Sequence, residues 1–194
     1  MPAVVENWFG DAFMQLHPLL QELHRSGGTL SGTVDVRLGR GLAGWAGRRF
    51  ARRLGVPPHD GSASMGVSIY STEAGLHWDR TFNETSVFAS TFTPTGRYPS
   101  GYWWESSGLL RLKLAVSIVD GSWVWRPIGG RLWGITFPVW LLPRTVASKG
   151  IDNGQYRFSV EVKLPLLGTM LSYSGNLSPA PSRIKPGLPS ENTS

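Results

Sequence analysis

Apolar residues near the start of the chain recur at intervals of three and four, which is the spacing of one helical face. The residues that share this spacing are Phe9, Phe13, Leu16, Leu20 and Leu23. Pro18 interrupts the pattern, so either a helix ends near His17 or Pro18 occupies the first turn of a second short helix. Another helical pattern covers residues 42 to 54 and ends at the break formed by residues 55 to 58. The spacing therefore predicts two N-terminal helical segments.

Apolar and polar residues alternate one by one from Thr29 to Leu38, which is typical of a half-buried strand. The same alternation recurs from residue 64 to residue 177, and short connections such as Asp120-Gly121 and Asn153-Gly154 separate the runs. Strands with one polar face and short connections form antiparallel sheets, and roughly eight to ten of them must curl or close. We therefore predict an α+β fold: a strongly curved antiparallel β-sheet, half-barrel or barrel-like, packed with the two N-terminal helical segments.

The length of 194 residues suits one domain, and 41% hydrophobic residues can form a sizeable core. Residues 178 to 194 contain Pro179, Pro181, Pro186 and Pro189 and few apolar residues. We therefore assign residues 1–177 to a single globular domain and residues 178–194 to a Pro-rich disordered tail.

Composition excludes several classes of protein. The chain has no cysteine, which excludes disulfides, thiolate metal sites and cysteine catalysis. The four histidines do not cluster with carboxylates, so no metal site is predicted. The first residues lack the basic start and apolar centre of a signal peptide, and we expect a soluble cytoplasmic protein. The net charge of +6 suits an anionic partner; we do not expect a nucleic acid, whereas peripheral contact with a membrane fits the charge.

The sequence from Gly39 to Gly44 matches the G-x-G-x-x-G pattern of dinucleotide-binding proteins and lies between a predicted strand and a predicted helix. In such proteins the glycines let the backbone approach a pyrophosphate at a helix N-terminus. However, the preceding strand contains Asp35 and Arg37, whereas a central parallel strand is apolar on both faces. We therefore interpret these glycines as turn and cap residues, and we predict no cofactor.

The helix predicted after this motif has an apolar side and a basic side. At about 100° per residue, Arg48, Arg49, Arg52 and Arg53 gather on one side, with Trp45 among them. A basic face that contains a Trp is typical of a helix that lies on an anionic membrane or binds phosphates. A second interpretation is a solvated face with Trp45 packed on a neighbouring loop.

Arg80 is the most informative single residue. It lies two residues from both Trp78 and Phe82, so in an unbroken strand its side chain points to the same apolar face as theirs. A guanidinium buried there must have an anionic or polar partner. The partner is either a carboxylate such as Glu105, on the aromatic run from Tyr102 to Glu105, or the anionic group of a bound ligand. A β-bulge would instead turn Arg80 outward.

A curved sheet of this size commonly encloses a space for a ligand, and nine Trp, eight Phe and five Tyr are available to line it. The leading interpretation is therefore non-enzymatic binding of an apolar or amphipathic small molecule in a cavity between sheet and helices. The predicted ligand-binding residues are Trp78, Arg80, Phe82, Glu105, Trp123, Trp125 and Tyr173. Two alternatives stay open: an enzyme without a cofactor that uses Arg80, Glu105 and Tyr173, and an accessory domain that docks on a dehydrogenase or on an anionic membrane.

Several short motifs, taken in order, carry a resemblance to a known family. They are Leu16-His17-Pro18, Gly41-Leu42-Ala43 before Pro57-Pro58, Trp78-x-Arg80-x-Phe82, Leu132-x-Gly134 before Pro138 and Pro143, Leu164-Pro165-x-x-Gly168, and Tyr173-x-Gly175-x-Leu177. Over about residues 16 to 177 the chain resembles a bacterial family catalogued as domain of unknown function 4166. The resemblance implies a single soluble domain that occurs alone or beside a Rossmann-type dehydrogenase domain, and it implies no activity. The family pattern tends to place a glycine after Trp-x-Arg-x-Phe, where this chain has Asn83-Glu84.

Overall fold

The helices lie in the first third of the chain. A computed structural model describes residues 4–85, 87–108, 110–132, 134–137, 144–164 and 167–180. The helices are α1 (Val4–Phe9), a 3-10 helix (Gly10–Gln15), α2 (Pro18–Ser26) and α3 (Gly41–Arg53). Pro18 is the first residue of α2, and the backbone N–H of Leu19 donates to Nδ1 of the capping His17 at 3.2 Å. The second of the two interpretations of Pro18 is therefore confirmed.

The rest of the described chain forms one sheet of eleven strands, and every pairing among them is antiparallel. The strands are β1 (Gly28–Leu38), β2 (Gly61–Thr72), β3 (Gly75–Phe82), β4 (Val87–Thr95), β5 (Tyr102–Ser107), β6 (Leu110–Val119), β7 (Ser122–Leu132), β8 (Ile135–Phe137), β9 (Arg144–Asp152), β10 (Gln155–Leu164) and β11 (Gly168–Pro179). Their order is β6-β5-β4-β3-β2-β1-β11-β10-β9-β7-β8, and β6 also pairs with β7. The described residues thus form mostly an antiparallel sheet with three short α-helices.

The connections between the strands lie alternately at two ends of the sheet. One end carries α3 and the connections β3–β4, β5–β6 and β10–β11; we call it the α3 end. The other end carries α1 and α2, since the N–H groups of His17 and Tyr98 donate to the carbonyls of Gly121 and Trp8, both at 3.0 Å. We call it the N-terminal-helix end. At its turns, Asp120-Gly121 and Asn153-Gly154 all have positive φ, as tight hairpins require.

Aromatic side chains cover the apolar face of the sheet at the N-terminal-helix end. Trp8 and Phe9 of α1 meet Trp103 of β5 and Trp123 of β7 edge to face, with ring centroids 5.4 and 5.1 Å apart respectively. All four side chains are buried. Such pairs contribute roughly 0.5–1.5 kcal/mol each beyond the area that they bury. The aromatic content of the sequence is therefore used here mainly for packing.

Gly39 of the glycine-rich motif and Gly47 of α3 allow this helix to pack closely on the sheet. β1 pairs antiparallel with β2 and β11, so the parallel strands of a dinucleotide-binding unit do not surround it. A Cβ on Gly39 would lie 2.1 Å from the carbonyl oxygen of Thr169, and one on Gly47 would lie 2.1 Å from that of Met170. Only glycine permits this approach of α3 to β11.

Two details differ from the sequence interpretation. β11 continues to Pro179 and pairs with β1 as far as Leu30, so Ser178 and Pro179 belong to the sheet and not to the tail. The prediction of disorder rested on proline content, but a proline at the end of a strand costs no ladder hydrogen bond. After β3, Asn83 and Glu84 both have positive φ, which explains why a glycine suits this turn.

We expect Gly47→Ala to lower the free energy of unfolding by about 1–3 kcal/mol, because the added methyl group meets backbone that cannot move without separating α3 from β11. Helix propensity alone predicts the opposite sign, since alanine is the better helix former. Leu42→Ala, at an exposed position of the same helix, is the control and should change stability little. Urea denaturation measures both variants. A stabilised Gly47→Ala protein would contradict the close packing.

Candidate functional site

A cavity of ≈ 110 Å³ lies between the apolar face of the sheet and α3. Its deep wall is formed by buried side chains, among them Trp78, Phe92 and Trp125. Phe50 of α3 and Leu110 of β6 also line it and are only half-buried, so the cavity approaches solvent at the α3 end. For scale, an engineered apolar cavity of about 150 Å³ binds benzene. This cavity therefore suits a small apolar group or one end of a longer molecule.

Arg80 projects into this cavity from the middle of β3. Its pairing with β2 and β4 continues without a bulge, so it lies on the same face as Trp78 and Phe82. Arg80 is 6% exposed, which confirms the burial that its parity predicted. The outward orientation considered above is therefore wrong.

Two neighbouring strands, β4 and β5, place polar groups around the Arg80 guanidinium. Nη1 donates to Oγ of Ser90 at 3.1 Å, and Nη2 lies 3.6 Å from Oε1 of Glu105. Ser90 in turn donates to Oε1 of Glu105 at 2.9 Å, and its Oγ lies 2.7 Å from Oγ of Ser107. These distances define an ion pair between Arg80 and Glu105 that Ser90 bridges by hydrogen bonds. Glu105 is thus the carboxylate partner that the sequence offered as one alternative.

The guanidinium keeps unused donors inside the apolar wall. Nε of Arg80 is buried and has no hydrogen-bond partner among the described residues. The 3.6 Å separation from Glu105 is too long for a hydrogen bond, so Nη2 makes an ion pair only. A guanidinium carries five N–H donors, and among the described residues only Ser90 satisfies one of them by a hydrogen bond. The rings of Trp78 and Phe88, each with its centroid 5.3 Å from Cζ, supply cation–π contacts.

Tyr173 of β11 adds a hydroxyl group to the same cavity. Its ring packs against Phe82 and Phe158, and no described residue forms a hydrogen bond with the hydroxyl. Burial raises the pKa of Tyr173; Arg80 opposes this shift and Glu105 adds to it. The hydroxyl is therefore protonated at neutral pH and can donate a hydrogen bond into the cavity.

The structure brings together most, but not all, of the predicted ligand-binding residues. Those that line the cavity are Trp78, Arg80, Glu105, Trp125 and Tyr173. Phe82 lies behind the wall, edge to face with Tyr173 at 5.4 Å. Trp123 also lies behind the wall, stacked on Trp125 at 4.8 Å. Parity alone identifies the face of a strand but not which residues of that face reach the cavity.

Sequence reasoning missed Ser90, which joins Arg80 to Glu105, and Ser107, which forms a hydrogen bond with Ser90. Ser90 lies between Phe88 and Phe92 on the same face of β4, and Ser107 follows Glu105 at the same parity on β5. A small polar residue between two inward-facing aromatic residues was the available signal, because a buried hydroxyl needs a partner. Phe50 and Leu54 of α3 also line the cavity and were assigned only to an apolar helix face.

The predicted basic face of α3 lies on the side of the helix away from the cavity. Arg48, Arg49, Arg52 and Arg53 are all exposed. Trp45 is 63% exposed, so it is not packed on a neighbouring loop as the second interpretation required. Among the residues that the structure describes, the ion pairs and side-chain hydrogen bonds involve none of these four arginines. The face is thus free of internal partners.

A family model described as "Domain of unknown function (DUF4166)" matches residues 16–177. The chain belongs to this family. The match covers most of the sequence, and it confirms the resemblance inferred from the short motifs. No curated protein matches the chain. In the described part of this DUF4166 chain there is no group of three or more metal-ligating side chains, and no helix is long and apolar enough to cross a membrane.

We expect Arg80→Met to lower the free energy of unfolding by about 1–3 kcal/mol, because it leaves the Glu105 carboxylate in an apolar wall. The loss is below that for a fully buried charge, since the Glu105 side chain is 19% exposed. Adding Glu105→Gln should recover much of the loss, and the double-mutant cycle gives the coupling. Arg126→Met, on the exposed face of β7, is the control. Additive effects of the two substitutions on the free energy of unfolding would show that the ion pair does not stabilise the protein.

Tyr173 should make the stability of the protein fall at alkaline pH. Because burial raises its pKa in the folded state, the unfolded chain loses this proton first, at its ordinary value of 10.0. Stability is therefore unaffected below pH 10 and falls as the pH rises from there towards the folded-state pKa. Tyr173→Phe should remove this part of the loss. Phenolate absorbance measures the titration, and a phenolate that forms in the folded protein at the ordinary pKa would contradict the desolvation.

Proposed function

We propose that this DUF4166 domain binds a small amphipathic molecule in the cavity, with an oxygen acceptor of the ligand, such as a carbonyl or carboxylate oxygen, on Arg80 and Tyr173. The observation that carries the proposal is the buried Arg80 guanidinium, whose Nη2 has an ion pair but no hydrogen bond among the described residues, beside a lining that is otherwise mostly apolar. A buried donor without an acceptor costs free energy, and a ligand oxygen would recover it. The Tyr173 hydroxyl can supply a second hydrogen bond.

The apolar part of the ligand would lie against aromatic and aliphatic side chains of the cavity. Leu112, Leu114 and Trp125 line one side, and Val160 with Val162 lines the other. The volume of ≈ 110 Å³ limits the enclosed part to a few carbon atoms, so a longer chain would extend past Phe50 at the α3 end. Such a site is a preformed, mainly apolar pocket with few polar groups, as small-molecule sites commonly are.

We also propose that the sheet has the strongly curved, barrel-like form suggested by the sequence. Side chains from seven strands, β3 to β7, β10 and β11, line the one cavity together with α3. The pairing of β6 with both β5 and β7 supports the same form. This curvature would give the proposed ligand an enclosing wall.

A cofactor-independent enzyme is the second candidate, because Arg80, Glu105 and Tyr173 line the same cavity. Acid–base catalysis works best when the pKa of the catalytic group lies near the working pH. Burial moves the pKa of Tyr173 away from neutrality, and Glu105 is engaged by Ser90 and Arg80. These observations favour binding over catalysis.

The test uses three small probes whose apolar parts suit the cavity: hexanoate, hexanone and benzene. Both oxygen-bearing probes should bind the wild-type protein and lose roughly 10-fold or more in affinity with Arg80→Met, because each loses a hydrogen bond from a charged donor. Benzene should bind both proteins equally. Titrations followed by calorimetry or by NMR shifts measure the affinities, with Arg126→Met as the matched control on the outer face of β7.

A second variant, Val160→Phe, fills the cavity and should reduce the binding of all three probes. Undiminished binding by Val160→Phe would place the probes elsewhere and contradict the proposal. Equal affinity of Arg80→Met and the wild type for hexanone and hexanoate would contradict the role of the guanidinium. Native mass spectrometry of protein purified gently from its own host then identifies a molecule that occupies the cavity.

A further inference from the structure

We propose that the α3 end of this domain docks on the surface of an anionic phospholipid bilayer, with Leu42 and Trp45 in the interface and the α3 arginines on the lipid phosphates. The proposal goes beyond binding in the cavity, and its test requires no cavity ligand. It rests on the outer face of α3, on the charges of the two ends of the sheet, and on the position of the cavity relative to this helix.

The outer face of α3 combines apolar and cationic side chains in one arc. At about 100° per residue, Leu42 and Trp45 fall within the arc that the four arginines define. Leu42 is 71% and Trp45 63% exposed, so both large apolar side chains face solvent on the same arc as the arginines. The opposite arc contains the residues that pack on the sheet or line the cavity, Ala43, Gly47, Phe50, Ala51 and Leu54. The residues of the exposed arc therefore do not belong to the side of α3 that packs on the core.

The charge on this face is uncompensated. α3 contains four arginines and no acidic residue. Two acidic residues at this end interact with groups outside α3. Asp60 accepts a hydrogen bond from the N–H of Leu38, and Glu161 forms an ion pair with Lys163 at 2.9 Å. Glu84 lies in the β3–β4 turn. Each arginine near an anionic bilayer adds to its affinity for the surface.

Other exposed apolar residues lie at the same end of the sheet. Val87 begins β4, Ile135 begins β8 and Leu167 precedes β11, and all three side chains are exposed. The N-terminal-helix end also exposes apolar side chains, but its loops and helices carry acidic ones, at positions 6, 11, 22, 73, 120 and 152, of which Glu6 and Asp152 are ion-paired with Arg25 and Arg157. An anionic surface therefore attracts the α3 end more strongly than the opposite end. This asymmetry fixes the orientation of docking.

The chemistry of the face fits a bilayer better than a polyanion. Arginines contact phosphates in both cases, but only a lipid interface offers the apolar region in which Leu42 and Trp45 lose contact with water. Indole rings are enriched at this depth because they combine an apolar body with a polar N–H group. Phe50 and Leu54, on the other side of α3, line the cavity. Docking would thus bring the half-buried part of the cavity next to the lipid from which an amphipathic molecule could enter.

The test is co-sedimentation of the purified protein with vesicles of phosphatidylserine mixed into phosphatidylcholine, compared with pure phosphatidylcholine vesicles. We expect binding to the anionic vesicles only, and weaker binding as the salt concentration rises. Arg49→Gln with Arg52→Gln should lower the partition coefficient roughly 10- to 30-fold. Trp45→Ala should lower it roughly 10-fold, because it removes the largest apolar contact.

Matched controls lie at the N-terminal-helix end. Arg97→Gln with Arg157→Gln removes the same charge from exposed positions there, and Met14→Ala removes an apolar side chain that is 66% exposed. Both controls should bind nearly as the wild type does. Equal losses in the two double variants, no effect of Trp45→Ala, or no binding of the wild type to anionic vesicles would each overturn the proposal. So would tight binding to duplex DNA that needs the arginines but not Trp45.

Discussion

The sheet of this domain has one apolar face, and the positions of the helices and of the cavity depend on how that face is covered. At the N-terminal-helix end α1 and α2 cover it, and Trp8 and Phe9 pack edge to face on Trp103 and Trp123. At the α3 end a single helix, held against β11 by glycines, covers the face only in part. The cavity is the space that this incomplete cover leaves. The helices thus fill the space over the sheet more closely at the N-terminal-helix end than at the α3 end, where the cavity lies.

Arg80 lies in the part of the apolar face that is left uncovered. A guanidinium there must find anionic or polar partners, and Ser90 and Glu105 supply them from the next two strands. The arrangement neutralises the charge without using all of the donors, since Nε has no partner among the described residues. A purely structural ion pair would gain from closer, bidentate geometry. The unused donors are the feature on which the proposed ligand-binding role rests.

α3 separates the two surfaces on which the proposals rest. Its inner side contributes Phe50 and Leu54 to the cavity, and its outer side exposes Trp45 among arginines. A helix of thirteen residues on one strand pair has little contact with the rest of the domain besides β1 and β11. The close approach at Gly39 and Gly47 holds it in this position. Cavity and basic face are therefore parts of one end of the molecule.

The sequence by itself predicted alternating strands, though fewer than the eleven of the structure, and the buried side of strands such as β3 and β10. Period-two alternation predicted the strands and the burial of Arg80, and Pro18 with the spacing of the first apolar residues predicted the N-terminal helices. These properties are local, because each depends on residues a few positions apart. Family membership also followed from short motifs in order along the chain.

Only the tertiary structure decided which residues meet. Strand order set Ser90 between Arg80 and Glu105, and the path of β7 placed Trp125 in the cavity wall and Trp123 behind it. The same structure showed that Trp45 is exposed and that Ser178 and Pro179 continue β11. Alternation reveals the face of a strand but contains no information on its neighbours, because pairing between distant strands depends on the packing of the whole sheet.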